Sequence, residues 1–187
     1  KSTYVLMCQI MSEKNRTLSL ITTISLAIIG SLVANYIDEV SIVPVLFALG
    51  IPLINIKESL PKKLALTVLV SIASSAILLL AVVTLLSVNV DKYAFPGLVV
   101  GLAGIAFLAV NSLLIKSIKP DLKSYLLTFV LSGISIPLWV FLTDNVFPKS
   151  VMDIAIIRES GAMIFWMLFT TIGTCSAIPL INEKSHS

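Results

Sequence analysis

The sequence predicts an all-α integral membrane protein built as a bundle of six transmembrane helices. Six apolar stretches fill most of the chain, and no acid, base or histidine sits in the middle of any of them. Charged residues make up only 12% of the chain against 57% hydrophobic, with a mean hydropathy of +1.04. A soluble domain carries about 25% charged residues to cover its surface. A bilayer removes that need, because lipid solvates an apolar exterior. The 187 residues have room for six helices of about 20 residues with short connections, which makes residues 1–187 one polytopic membrane domain.

The expected spans are Thr17–Ile37, Ser41–Ile56, Leu64–Val88, Tyr93–Ile115, Ser124–Thr143 and Ser160–Ile181. Residues 1–16 then form a cytoplasmic N-terminal segment, 17–182 the helix bundle and 183–187 a cytoplasmic tail. Lys1 to Ile10 is a mixed segment without the pattern of a cleavable signal peptide, and Met11 followed by Ser-Glu-Lys-Asn-Arg is expected to be a native start. The second span is the short one and holds Pro44 and Pro52, so a tilted crossing and a re-entrant segment are both open from length alone.

Charge placement favours six crossings with both ends inside. Ten of the thirteen Lys and Arg then fall on the inner side: Lys1, Lys14, Arg16, Lys57, Lys62, Lys63, Lys116, Lys119, Lys123 and Lys184. Asp38, Glu39, Asp91, Asp144, Asp153 and Glu159 fall outside. Basic loops resist translocation, and leaving Ser41–Ile56 uncrossed would put Lys57, Lys62 and Lys63 on the wrong side. A faint repeat fits three pseudo-repeated helical hairpins. Asp38, Asp91 and Asp144 are 53 residues apart, each followed by a proline, and Gly50-Ile-Pro-Leu-Ile-Asn55 recurs as Ala177-Ile-Pro-Leu-Ile-Asn182.

Hydroxyl residues inside the spans are the first candidates for a substrate path. Thr67, Ser71, Ser74 and Ser75 share one face of the third span by their spacing. Thr128, Ser132 and Ser135 share a face of the fifth, Thr171, Thr174 and Cys175 one of the sixth, and Thr22, Ser25 and Ser31 form a looser set on the first. Pro137 lies inside the fifth span and would free the carbonyl of Gly133, as broken helices do at transporter sites. Ser71, Ser75, Ser132, Ser135, Pro137 and Thr174 are therefore the substrate-path candidates. The same hydroxyls also suit plain helix packing. Gly97, Gly101 and Gly104, with the Ala27, Gly30, Ser31 and Ala34 face, are candidates for helix packing or for a partner face. Val151, Ile154, Ala155 and Ile157 in the outer loop suggest a short interfacial helix.

Several chemistries have no foothold. The lone histidine, His186, is near the end, and the two cysteines are not spaced as a metal or redox pair. No catalytic pair, phosphate-binding glycine loop, cofactor motif or metal-ligand spacing is present, and no basic block suggests nucleic acid. An aromatic content of 7% argues against an aromatic-lined ligand box.

Two functions lead, and a third, an intramembrane enzyme acting on lipid, would need Asp38, Glu39, Arg158 and Glu159 to converge at the outer surface. Of the leading two, one is a transporter-like or substrate-binding protein for a neutral or amphiphilic small molecule or lipid, not proton-coupled through an intramembrane carboxylate. The other is a non-transporting partner, whether accessory subunit, immunity or assembly protein or homo-oligomer, acting through helix contacts. The lysine-rich inner loops point to a bacterial inner membrane.

Overall fold

In the computed structural model the described residues, 2–37, 42–87, 93–148, 150 and 155–178, are helical with short connections and no strand. Six helices follow in chain order: α1 (Ser2–Ile37), α2 (Ile42–Asn55), α3 (Leu60–Ser87), α4 (Ala94–Leu114), α5 (Leu122–Asn145) and α6 (Ala155–Ser176). Four stretches are long and apolar enough to cross a membrane: Lys14–Ala34, Leu60–Leu85, Ala94–Leu114 and Leu122–Asn145. Val45–Asn55 and Gly161–Ser176 are shorter apolar helical stretches. By length and composition this is an all-helical membrane protein.

The expected spans coincide closely with α2 and α4. Tyr93 and Ile115, the expected ends of the fourth span, are the two caps of α4. Four boundaries need correction, one being the third span, whose helix begins at Leu60 rather than Leu64. The helix of the first span runs back to Ser2, through the segment expected to precede the bundle. The sixth begins at Ala155 rather than Ser160 and ends at Ser176 rather than Ile181, so Ala155 and Ile157 of the expected interfacial helix fall within it. Residues 151–154 lie outside the described residues, as do Asp38 and Asp91 of the repeat. The inner repeat also differs in conformation where it is described. Gly50–Asn55 is the last turn and more of α2, whereas Ala177 and Ile178 follow α6 in a tight turn, with Ala177 N–H donating to Thr174 O at 3.0 Å.

Each helix packs on its sequence neighbours, and α1 also packs on α6, which closes the six into a ring. Glycine sets how close several of these seams are. All eight glycines sit against a neighbouring helix. Gly30 meets Val43 and Gly50 meets Thr23 between α1 and α2. Gly97, Gly101 and Gly104 meet Gly133, Phe129 and Ser132 between α4 and α5. Gly161 meets Trp139, and Gly173 meets Thr128, between α5 and α6. A Cβ added at Gly97 would lie 2.8 Å from Gly133 O, and one at Gly173 would lie 2.6 Å from Thr128 Cα. In both cases the obstacle is backbone and cannot swing aside. Such close approach gives dispersion contacts that lipid cannot match.

Inside the ring, α2, α4 and α6 meet through rings. Phe47 lies 5.2 Å from Phe107 and 6.4 Å from Trp166, centroid to centroid. Trp166 Nε1 donates to Val100 O at 3.1 Å, so the indole N–H is satisfied in the core. Helix α5 is built the other way round. Its buried residues are Ser124, Thr128, Ser132 and Ser135, while Leu126, Leu127, Val130, Ile134 and Phe141 are exposed. That pattern suits a helix with lipid on one side and tight contacts on the other.

Replacing Gly173 with alanine should lower thermal stability in detergent by about 1–3 kcal/mol through overpacking, because Thr128 Cα must move. Leu79→Ala, at a side chain 65% exposed, should change it little. Paired melting curves check both, and equal melting of the two variants would contradict the seam assignment.

Candidate functional site

One end of the bundle collects the last turns of α2, α4 and α6 with the first turns of α3 and α5. It carries Lys14, Arg16, Lys57, Lys62, Lys63, Lys116, Lys119 and Lys123 against Glu13, Glu58 and Asp121, which makes it the basic end. Two connections meet there. The α2–α3 connection is four residues, Ile56 to Ser59, closed by Pro61 as the second residue of α3, where its missing N–H costs nothing. The α4–α5 connection turns at Ile115, with Ile115 N–H donating to Asn111 O at 2.8 Å and Ile118 N–H to Ile115 O at 2.9 Å. Ile56, Ile115 and Ile118 are buried and pin both connections to the core.

Asn55 ties this end together. It is 4% exposed. Its Nδ2 donates to Ser19 Oγ at 2.8 Å and to Ile51 O at 2.9 Å, while its carbonyl accepts from Ser117 Oγ at 3.1 Å. One residue thus links α1, α2 and the α4–α5 connection. Arg16 does the same for the end of α6. Its Nε donates to Ile178 O at 2.7 Å, and its Nη2 donates to Ser176 O and Ile178 O. These are carbonyls the helix end leaves without partners, and a cation there is favoured by the helix dipole. Lys119 N–H donates to Ala177 O at 3.0 Å and closes the same corner.

Between the two connections opens a cleft of about 460 Å³. Its apolar wall is Ile56, Leu66, Leu113, Leu114 and Ile115, and its polar rim is Asn55, Lys57, Glu58, Lys62, Lys116 and Ser117. Leu113 is 81% exposed there. Lys62 Nζ pairs with Glu58 Oε2 at 3.3 Å, an exposed i,i+4 pair of little energetic weight. Lys57 and Lys116 have no ion-pair partner among the described residues. The cleft offers an apolar surface beside net positive charge. A more open groove runs along α5 past Asp121, Lys123, Ser124, Leu126, Leu127, Val130 and Ser176.

The hydroxyl candidates lie elsewhere, in the helix seams. Ser71 Oγ donates across to Val45 O of α2 at 3.0 Å, and Ser75 Oγ donates to Ser71 O at 2.8 Å. Ser132 Oγ and Thr170 Oγ1 share a hydrogen bond of 2.8 Å between α5 and α6, and Ser135 Oγ donates to Ser132 O. Thr174 is fully buried, with an Oγ1 that has no hydrogen-bond partner among the described residues. Ser71 and Ser75 therefore belong to the α2–α3 seam, and Ser132, Ser135 and Thr174 to the α5–α6 region. None of them lines the cleft, the α5 groove or the small apolar cavity of about 50 Å³ between α1, α2 and α6. Pro137 sits inside α5, and the Gly133 carbonyl it frees faces Gly97 of α4. Gly97, Gly101 and Gly104 face α5 within the molecule.

The set expected on α1 is corrected. Ser25 is exposed and Thr22 half-buried, whereas Ser19, Thr23 and Ser31 are fully buried. Thr23 Oγ1 donates to Ser19 O at 2.6 Å, and Ser31 Oγ to Ala27 O at 2.9 Å. Sequence reasoning also missed Asn55 and Arg16. Asn55 was visible only as one end of a repeat. Arg16 was visible only as one positive charge among many, because its partners are backbone carbonyls distant in sequence.

Comparison with protein-family models, with curated proteins and with solved structures finds no match to this chain.

Two measurements test the basic end. Asn55→Ala should destabilise the protein by about 1–3 kcal/mol, because it strips a buried amide from its partners; a melting curve unchanged from wild type would contradict the anchoring role. Asp121 caps α5 by accepting from Ser124 N–H at 2.8 Å and Ser124 Oγ at 2.7 Å. These bonds hold its carboxyl below the ordinary value of 3.8. A depressed carboxylate stabilises above its unfolded value and loses that contribution as pH falls through the folded one. The melting difference between wild type and Asp121→Ala should therefore be present at neutral pH and fade in strong acid.

Proposed function

We propose that this chain is a six-crossing membrane protein with both ends on the cytoplasmic side of a bacterial inner membrane. We propose further that it binds an amphiphilic small molecule at that side, as a transporter or substrate-binding protein. The observation that carries this reading is the cleft at the basic end, where Ile56, Leu66, Leu113 and Leu114 line one wall and lysines the rim. An amphiphile meets both halves at once. An apolar tail removes Leu113 from water, and a polar head meets the rim.

The topology rests on charge and length. The basic end holds the lysine-rich connections, the side on which positive residues are retained. Helix α6 has 22 residues, about 33 Å, of which the apolar Gly161–Ser176 is about 24 Å, so this crossing also needs shielding by its neighbours. Helix α2 has 14, about 21 Å. It is the most enclosed helix, with Val43, Phe47, Ala48 and Ile51 buried, so neighbouring helices rather than lipid surround most of it. A short element is tolerated where protein shields it.

A path for a neutral solute along the hydroxyls has less support. Most of those groups already donate to helix carbonyls or to each other. The partner reading loses its expected surface, since Gly97, Gly101 and Gly104 are occupied by α5.

Leu113→Trp should fill the cleft without touching the core. Native mass spectrometry of gently extracted protein should find a small amphiphile on the wild type and a severalfold loss on the variant, with melting unchanged. Equal retention on both would refute the cleft as the site.

A further inference from the structure

We infer that the cleft at the basic end takes the phosphate head group of an anionic lipid, with Lys57 and Lys116 as its counter-charges. The inference rests on the amphiphile reading and names the ligand class.

Charge comes first. Three lysines and one glutamate form the rim. Glu58 is engaged with Lys62, so Lys57 and Lys116 are the cations left to meet a ligand. They come from different connections, one after α2 and one after α4. The Ser117 hydrogen bond to Asn55 O holds those connections together. The two ammonium groups are therefore kept on one rim by structure, not by chance exposure. Lysine ammonium is a compact point charge with three donors, suited to the oxygens of a phosphate.

The wall then decides what else the ligand carries. Among the described residues no aromatic ring lines the cleft, so a nucleobase has nothing there to stack on. A bare phosphate would leave Leu66, Leu113 and Leu114 in water. An acyl chain covers them. Leu66 also belongs to a helix whose Leu64, Val68, Leu69 and Ile72 are exposed apolar residues, a surface for lipid. A lipid entering from the bilayer would keep its chains against α3 and lift only its head to the rim. Basic pockets between membrane helices on the cytoplasmic side commonly hold anionic head groups in this way.

The test uses the whole purified protein in a neutral detergent. Phosphatidylglycerol, phosphatidylcholine and inorganic phosphate are added separately, and lipid retention is read by native mass spectrometry beside thermal melting. Phosphatidylglycerol should be retained and should raise the melting temperature, with both effects weakened by high salt. Phosphatidylcholine and inorganic phosphate should do neither. The double variant Lys57→Gln/Lys116→Gln should lose about thirtyfold in phosphatidylglycerol retention, from roughly fivefold per surface lysine. Lys57→Arg/Lys116→Arg should keep most of it, and all variants should melt like wild type without lipid. Three results would overturn the head-group assignment: equal retention of phosphatidylcholine, full retention by the double glutamine variant, or stabilisation by inorganic phosphate alone. If both lipids are retained and Leu113→Trp removes both, the amphiphile reading stands while the head-group inference falls. If neither lipid is retained, both fall.

Discussion

Close backbone approach at glycine is the constraint on which the rest of this fold depends. Inside a bilayer, lipid tails are as apolar as leucine, so helices gain nothing by hiding leucines from each other. What they gain is contact that a fluid chain cannot reproduce. The eight glycines supply it at three of the seams, α1–α2, α4–α5 and α5–α6. At three of the glycines the residue drawn close is a serine or threonine, while Gly101 and Gly161 take the rings of Phe129 and Trp139. Thr23 faces Gly50, Ser132 faces Gly104 and Thr128 faces Gly173. The buried hydroxyls of α5 thus sit where glycines of α4 and α6 approach. Other large side chains lie on the exposed faces or in the ring cluster of Phe47, Phe107 and Trp166.

The α2–α3 and α3–α4 seams have no glycine. Helix α3 is held by apolar burial through Val70 and Leu78 and by a cross-helix bond from Ser71 to Val45 O. The cleft opens where this less tightly drawn helix begins, beside the end of α4. Its other margin is rigid, because Asn55, Ser19 and Ser117 lock the end of α2 to α1 and to the α4–α5 connection. A recess with one firm side and one looser side can admit a ligand without disturbing the glycine-locked part of the bundle.

Much of this was legible in the sequence, and the parts that were not share a physical cause. Span positions follow from hydropathy, which is a property of each stretch alone, so Ala94–Leu114 is located to within a residue at each end. The end of α6 was misplaced because Ala177 and Ile178 are as apolar as the helix before them, while helix termination is decided by hydrogen bonds to Thr174 and Cys175 carbonyls and by Arg16. The faces of α5 and α3 were legible because spacing fixes which residues share a side. On α1 the choice between Thr22 with Ser25 and Ser19 with Thr23 depends on which side the neighbours occupy, and no single-helix pattern holds that. The cleft was not legible at all. It joins residues 55–66 to residues 113–117, and only the packing of α3 against α4 brings them together.

Function should be sought where hydrogen-bonding and charge capacity remain unspent. Most interior hydroxyls have spent theirs: Thr23, Ser31, Ser75, Thr128 and Thr171 donate to the carbonyl one turn back, and Ser132 and Thr170 serve each other. Such bonds satisfy the group and leave nothing for a solute. Four buried atoms stand apart, Thr67 Oγ1, Ser74 Oγ, Thr174 Oγ1 and Asn111 Oδ1, which have no partner among the described residues. A serine or threonine hydroxyl can turn to its own helix at small cost. The Asn111 carbonyl oxygen can only accept, so it carries a desolvation cost of about 1–3 kcal/mol. Yet these atoms are sealed from every cavity described above. At the basic end the balance is reversed: Lys57 and Lys116, without an ion-pair partner among the described residues, stand at the edge of an open apolar recess. The interior of this bundle is occupied with holding itself together, and its free chemistry lies at the rim.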